Sequence, residues 1–123
     1  MSDKFATGMK VRSKVLGDAH VDRAEANNTA LDTPFQTLIT EAAWGTVWAS
    51  DAISLRERSM LTLALLAATG NFDEIPMHIR ATANTGASQE DVMEGVQHVA
   101  IYCGVPKANH AIKLAKQTFA EMG

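Results

Sequence analysis

The sequence has one cysteine, Cys103, in 123 residues, so an intrachain disulfide, a CxxC redox pair and a cysteine-built zinc site are all excluded. It has no apolar run approaching the ~18 residues that mark a membrane-spanning helix. The longest, Leu61 to Ala68, is broken by Thr62 and closed by Thr69 and Gly70, which predicts a buried helix instead. A basic block is also missing. The 11 Lys and Arg are scattered among 14 acids, with net charge −3 and a pI of about 5.7, so a polyphosphate partner such as nucleic acid has little to hold. There is no HExxH pattern, no fixed-period repeat, no low-complexity tract and no run of alternating strand pattern. The opening residues, Met1-Ser2-Asp3-Lys4, carry no apolar signal segment, and the expected location is cytoplasmic.

What is present is the composition of a folded soluble chain: 46% apolar, 20% charged, mean hydropathy −0.06. The punctuation predicts an all-α domain over residues 1–123 with six or seven helices. Residues 3–16 place Phe5, Met9, Arg12 and Leu16 at helical spacing and stop at Gly17. A short polar helix is expected from His20 to about Asn28. Asp32-Thr33-Pro34 reads as a cap followed by a first-turn proline. Phe35, Leu38, Ile39 and Ala42 then form an apolar face on a helix that could reach Trp48, although Gly45 weakens it. Ser54 and Glu57 form a capping box for residues 54–69, whose second half is apolar on nearly all sides and is expected at the centre of the fold. A helix starting near Asn71 or Asp73 accommodates Pro76 in its first turn and ends before Gly86. Ser88 caps 89–103, with Val92, Val96, Val99 and Cys103 expected inward, and Gly104 closes it. Pro106 opens a last helix with Ala108, Ile112, Ala115, Phe119 and Met122 on one face.

Few residues have the spacing and chemistry of a site. Glu74 and His78 are four apart on one predicted helix, where the carboxylate would favour the imidazolium and tune it as a proton donor; an exposed surface pair has the same spacing. Arg56 and Arg58 open the helix at 54–69. Arg58, followed by Met60, Leu61 and Leu63, is expected closer to the core, where a guanidinium requires Glu74 or a ligand carboxylate. Arg23 and Arg12 are open to either a solvated or a buried reading. Trp44 and Trp48 can form an aromatic wall or pack a core. Tyr102 can donate its hydroxyl into a cleft or cap a helix end, and Cys103 reads as an inert buried thiol. His20, His98 and His110 have no partner by spacing.

The residues together resemble the 4-carboxymuconolactone decarboxylase family, a branch of the AhpD-like helical fold group. The resemblance spans nearly the whole chain. It is densest in Gly8-Met9-Lys10-Val11-Arg12, in Val15-Leu16-Gly17-Asp18-Ala19-His20-Val21-Asp22-Arg23, and in Trp44-Gly45-Thr46-Val47-Trp48. Glu74-Ile75-Pro76-Met77-His78 and Ala100-Ile101-Tyr102-Cys103-Gly104-Val105-Pro106 complete it. It implies a lyase of protocatechuate breakdown that uses no cofactor or metal and turns 4-carboxymuconolactone into 3-oxoadipate enol-lactone and CO2, in a hexameric or trimeric homo-oligomer. The fold group's redox branch carries its CxxC on the helix that here holds Asn71 and Glu74, so the missing thiols speak against peroxidase chemistry. On this resemblance His78 is the proton donor, Glu74 orients it, Arg58 or Arg23 anchors a substrate carboxylate, and Trp44 and Tyr102 wall the pocket. The chain departs from the branch at Ala42 and Ser50, where the pattern has histidine and arginine. That leaves open a related lyase or isomerase acting on another lactone or β-keto acid. A non-catalytic helical assembly module is the remaining alternative.

Overall fold

The computed structural model describes residues 2–123, and no strand occurs among them. The expectation of an all-α fold with seven helices holds. Contacts divide the chain after Ile53 into two units.

In the first unit, α1 (Asp3–Leu16) is capped by Ser2, whose hydroxyl accepts from the Phe5 amide, and it ends at Gly17. The polar helix α2 (Asp18–Ala26) begins two residues before the expected start. Buried Arg12 of α1 donates to Glu25 of α2 at 2.7 Å, which resolves the ambiguity over this arginine. Helix α3 (Thr33–Ile39) has Pro34 in its first turn, but Asp32 does not cap it; that carboxylate accepts from the Thr29 amide at 2.7 Å.

From Thr40 to Val47 the backbone widens into a π-helix, with the Trp48 amide reaching back to the Ala43 carbonyl at 2.8 Å. Helix α1 packs along this segment. At the two closest approaches stand Gly8, where a Cβ would overlap the Thr40 carbonyl oxygen, and Gly45, where it would overlap that of Lys4. The apolar face expected on this stretch is not covered. Phe35 and Leu38 are more than half exposed and Ala42 is exposed, because helical spacing identifies an apolar stripe without supplying its partner.

In the second unit, α4 (Leu55–Thr69) starts at the expected Ser54–Glu57 capping box, complete in both directions. It stops at Gly70, whose φ of 77° suits a residue without Cβ. A 3₁₀ turn (Phe72–Glu74) leads into α5 (Ile75–Thr85), with Pro76 in its first turn. A second complete capping box, Ser88 with Asp91, opens α6 (Gln89–Cys103), and α7 (Val105–Met122) carries Pro106 in its first turn. Helix α4 packs on α5, α6 and α7. The core is built from Leu63, Ala67, Ile75, Ile79, Val92, Val96, Val99, Ala108, Ala111 and Ala115.

Two expectations fail here. Helix α4 is central to its unit but not enclosed, since Leu61 and Leu65 are 54% and 62% exposed. Cys103 is exposed, not buried, because α6 runs past the core after Val99 and its last turn, Ile101 to Cys103, meets solvent.

Candidate active site

His78 enters from the first turns of α5 and is 8% exposed. It shares the buried face of that helix with Thr82 and Thr85, four and seven positions on, and the Thr82 hydroxyl donates to the Ile79 carbonyl at 2.6 Å. Glu74 is the exposed residue just before α5, where an acidic side chain complements the helix N-terminus. The two do not share one helix as expected: Glu74 closes the 3₁₀ turn, exposed, and His78 is buried in the first turns of α5, because Pro76 begins the α-helix only after Glu74.

Of the two arginines at the start of α4, Arg58 is the less exposed. Arg58 is half-buried, whereas exposed Arg56 donates two hydrogen bonds, of 2.8 and 2.7 Å, to Asp91 at the start of α6. That guanidinium and the Ser88 amide hold the Asp91 carboxyl well below the usual carboxylate range. Arg56 thus joins α4 to α6, and Arg58 is the more buried cation of the pair.

Helices α4 and α5 form an antiparallel hairpin closed at one end by residues 70–74. At the other end the hydroxyls of Ser59 and Thr85 lie 2.7 Å apart, both buried. This contact puts Ser59 and Thr85 at the same level of the two helices. Arg58 and His78 sit on adjacent helices about two turns apart, a rise on the order of 10 Å that an extended guanidinium and a dicarboxylate can share.

The remaining candidates are placed as follows. Arg23 is exposed in the last turn of α2. Trp44 is buried in the π-helix, its ring 5.1 Å from that of Trp48 at a 34° tilt. Beside Arg23 and Arg12, partly buried His20 has its pKa lowered, first by burial and then by the two cations. Tyr102 is 81% exposed and stacks on His98 with centroids 6.3 Å apart. It lines a surface hollow of about 310 Å³ with Glu94, Gln97, His98 and Ile101, which includes none of Glu74, His78 or Arg58. His110 lies against Phe72, ring centroids 4.0 Å apart. Among the described residues no group of three or more His, Cys, Asp or Glu could hold a metal ion. Sequence reasoning missed Ser59, Thr82 and Thr85; the recurrence of threonine four and seven positions after His78 was the available signal.

These features define an all-helical protein with a buried histidine and a partly buried arginine and without a thiol pair. The chain belongs to the carboxymuconolactone decarboxylase family, whose model matches residues 33–117. It is 36% identical over 120 residues to a 4-carboxymuconolactone decarboxylase of Acinetobacter baylyi, covering 98% of this chain and 90% of that protein. It is 39% identical over 118 residues to nitrosuccinic acid decarboxylase of Metarhizium robertsii, covering 96% and 82%. A third relative, a 4-carboxymuconolactone decarboxylase of Pseudomonas putida, is 45% identical over 42 residues, covering 34% of this chain and 88% of that protein.

Proposed function

We propose that this chain is a carboxy-lyase that converts 4-carboxymuconolactone to 3-oxoadipate enol-lactone and CO2 without a cofactor, acting as one decarboxylase domain over residues 1–123. The observation that carries the reading is a buried imidazole on α5 with a partly buried guanidinium about two turns away on the adjacent helix α4, in a chain matching a protein of that named activity over nearly its whole length. The place of this reaction is protocatechuate breakdown through β-ketoadipate, in the cytoplasm. No helix among the described residues is long and apolar enough to cross a membrane.

The substrate supplies its own electron sink. When the carbon–carbon bond to the γ-carboxylate breaks, its electron pair moves through the ring double bond to the lactone carbonyl, forming a furan-like dienolate and releasing CO2. The protein then has three tasks: to hold the surviving carboxylate, stabilise charge on the carbonyl oxygen, and deliver a proton to the carbon beside it. Arg58, or Arg23, holds the carboxylate through two parallel hydrogen bonds. His78 gives the proton and regains it from solvent, and Glu74 favours its protonated form.

A second reading has a specific observation in its favour. Nitrosuccinic acid, named for the Metarhizium relative, is likewise a dicarboxylate with an internal electron acceptor. Ala42 and Ser50, both exposed, stand where the decarboxylase pattern has histidine and arginine. A related dicarboxylate, lactone or β-keto acid would use the same acid and the same cation.

We further propose that the protein works as a homo-oligomer, a hexamer or trimer. Phe35, Leu38, Leu61, Leu65 and Ile101 are all more than half exposed, and burying such apolar surface contributes about 25 cal/mol per Å². Light scattering should return a multiple of 13.2 kDa.

The deciding experiment is ultraviolet monitoring of 4-carboxymuconolactone consumption, run beside nitrosuccinate and a small lactone panel. Loss of the general acid in His78→Ala should lower kcat by about 10²–10⁴-fold. Arg58→Met should chiefly raise KM. A folded His78→Ala protein with near-normal turnover removes His78 from this role, and turnover of a panel member in preference to the lactone selects the second reading.

A further inference from the structure

We propose that the buried hydroxyl pair Ser59–Thr85 is a positioning device that sets the register of α4 against α5, and with it the placement of Arg58 relative to His78. The inference rests on the assignment of those two residues to the site. Ser59 is 0% exposed and Thr85 is 8% exposed, and their oxygens are 2.7 Å apart. Beyond them the packing of α4 on α5 is aliphatic: Leu63 and Ala67 of α4 and Ile75 and Ile79 of α5 belong to one buried core. Aliphatic contacts are non-directional and tolerate small slides and rotations, whereas a hydrogen bond weakens steeply with distance and angle. A buried hydroxyl that loses its partner also suffers the desolvation of its oxygen.

The position of the pair matters as much as its chemistry. The connection at residues 70–74 ties one end of the hairpin, and Ser59–Thr85 ties the other. Ser59 adjoins Arg58 in sequence, and Thr85 lies two turns along the same buried face from His78. A modest rotation of α4 would swing the long Arg58 side chain by an ångström or more, enough to lower a geometry-dependent rate by about 10²-fold. The pair thus locks the end of the hairpin from which the cation projects.

The test uses Thr85→Val, which removes the hydroxyl at nearly constant shape, and Thr85→Ser, which keeps it. Thr118→Val is the control. Thr118 is a buried hydroxyl of the same unit that bonds only within α7, to the Leu114 carbonyl at 2.8 Å. Thr85→Val should lower kcat/KM on the lactone by about 10–100-fold with a rise in KM, Thr85→Ser should restore it to within about threefold, and Thr118→Val should leave it unchanged. In parallel, nitrogen-15 NMR of the Arg58 guanidinium and the His78 imidazole should show both displaced in Thr85→Val and unmoved in Thr118→Val. The NMR readout does not depend on turnover. An inactive wild-type protein would therefore overturn the lactone reading while the register proposal stands or falls on the NMR signals. If Thr85→Val does not fold, Ser59→Ala carries the same comparison. Arg58 and His78 signals in the hydroxyl-deleted protein that match those of Thr118→Val would overturn the proposal.

Discussion

The two units of this chain are held together by different physics. The second draws on apolar burial: its aliphatic core spans α4 to α7, and complete capping boxes start α4 and α6. The first has few large buried aliphatics, Val15 and Val21 among them. It relies on near contact of two backbones at Gly8 and Gly45, on the π-helix those contacts accompany, and on the Arg12–Glu25 ion pair. Side-chain volume should govern stability in one unit, and the absence of a side chain in the other.

The largest expected effect is in the aliphatic unit. Ile79 is 0% exposed, and Ile79→Ala should cost about 3–4 kcal/mol, read as a lowered denaturant midpoint by circular dichroism. Gly8→Ala and Gly45→Ala come next. Each methyl would overlap a backbone oxygen that cannot rotate away, at a cost of about 2–3 kcal/mol. The readout is local, because the only two tryptophans, Trp44 and Trp48, lie in and beside the π-helix and report its packing by fluorescence. The same substitution in the second unit should reverse sign. A Cβ at Gly95 would meet its nearest neighbour, the Met60 carbonyl oxygen, at 3.6 Å, so Gly95→Ala should stabilise by about 0.5–1 kcal/mol through helix propensity. Equal effects at Gly45 and Gly95 would erase the proposed contrast.

The same contrast explains what could be read in advance. Ser54 with Glu57, Ser88, Gly70, Gly86, Pro76 and Pro106 announce helix boundaries through interactions local to a few residues, and those boundaries lie close to where the sequence places them. The π-helix was not legible. Gly45 shows only that a helix is weakened there; the widening accompanies an approach to α1 that no local pattern encodes. Likewise Leu61 and Leu65 extend an apolar run, but whether such a face is covered depends on a partner outside the run. In the candidate site, Glu74 and His78 stand out by spacing and Arg58 by the residues that follow it. Ser59 and Thr85 escape notice because serine and threonine are common on every kind of surface and become informative only when found 26 positions apart and in contact inside a core.

The smallest expected effects are in acid, and they separate the units by pH. Asp91 has a carboxyl pKa depressed by the Arg56 hydrogen bonds, so its contribution to stability is complete above the unfolded value of about 3.9 and is lost as pH falls through the lower folded value. His20 has its imidazole pKa depressed by burial and by Arg23 and Arg12. Here the neutral form is the one folding favours, so the stability is present above the unfolded value of about 6.5 and is lost as pH falls below it. Denaturant midpoints taken from pH 7 to pH 2 should therefore show two windows when each variant is subtracted from wild type. The His20→Gln difference should change as pH falls below about 6.5 and be followed by tryptophan fluorescence, while the Asp91→Asn difference should change only below about pH 4. Both effects are modest because Asp91 is paired at the surface and His20 is only partly buried. A single shared window for both variants would mean that the two acid responses are not the separate properties of the two units that their surroundings imply.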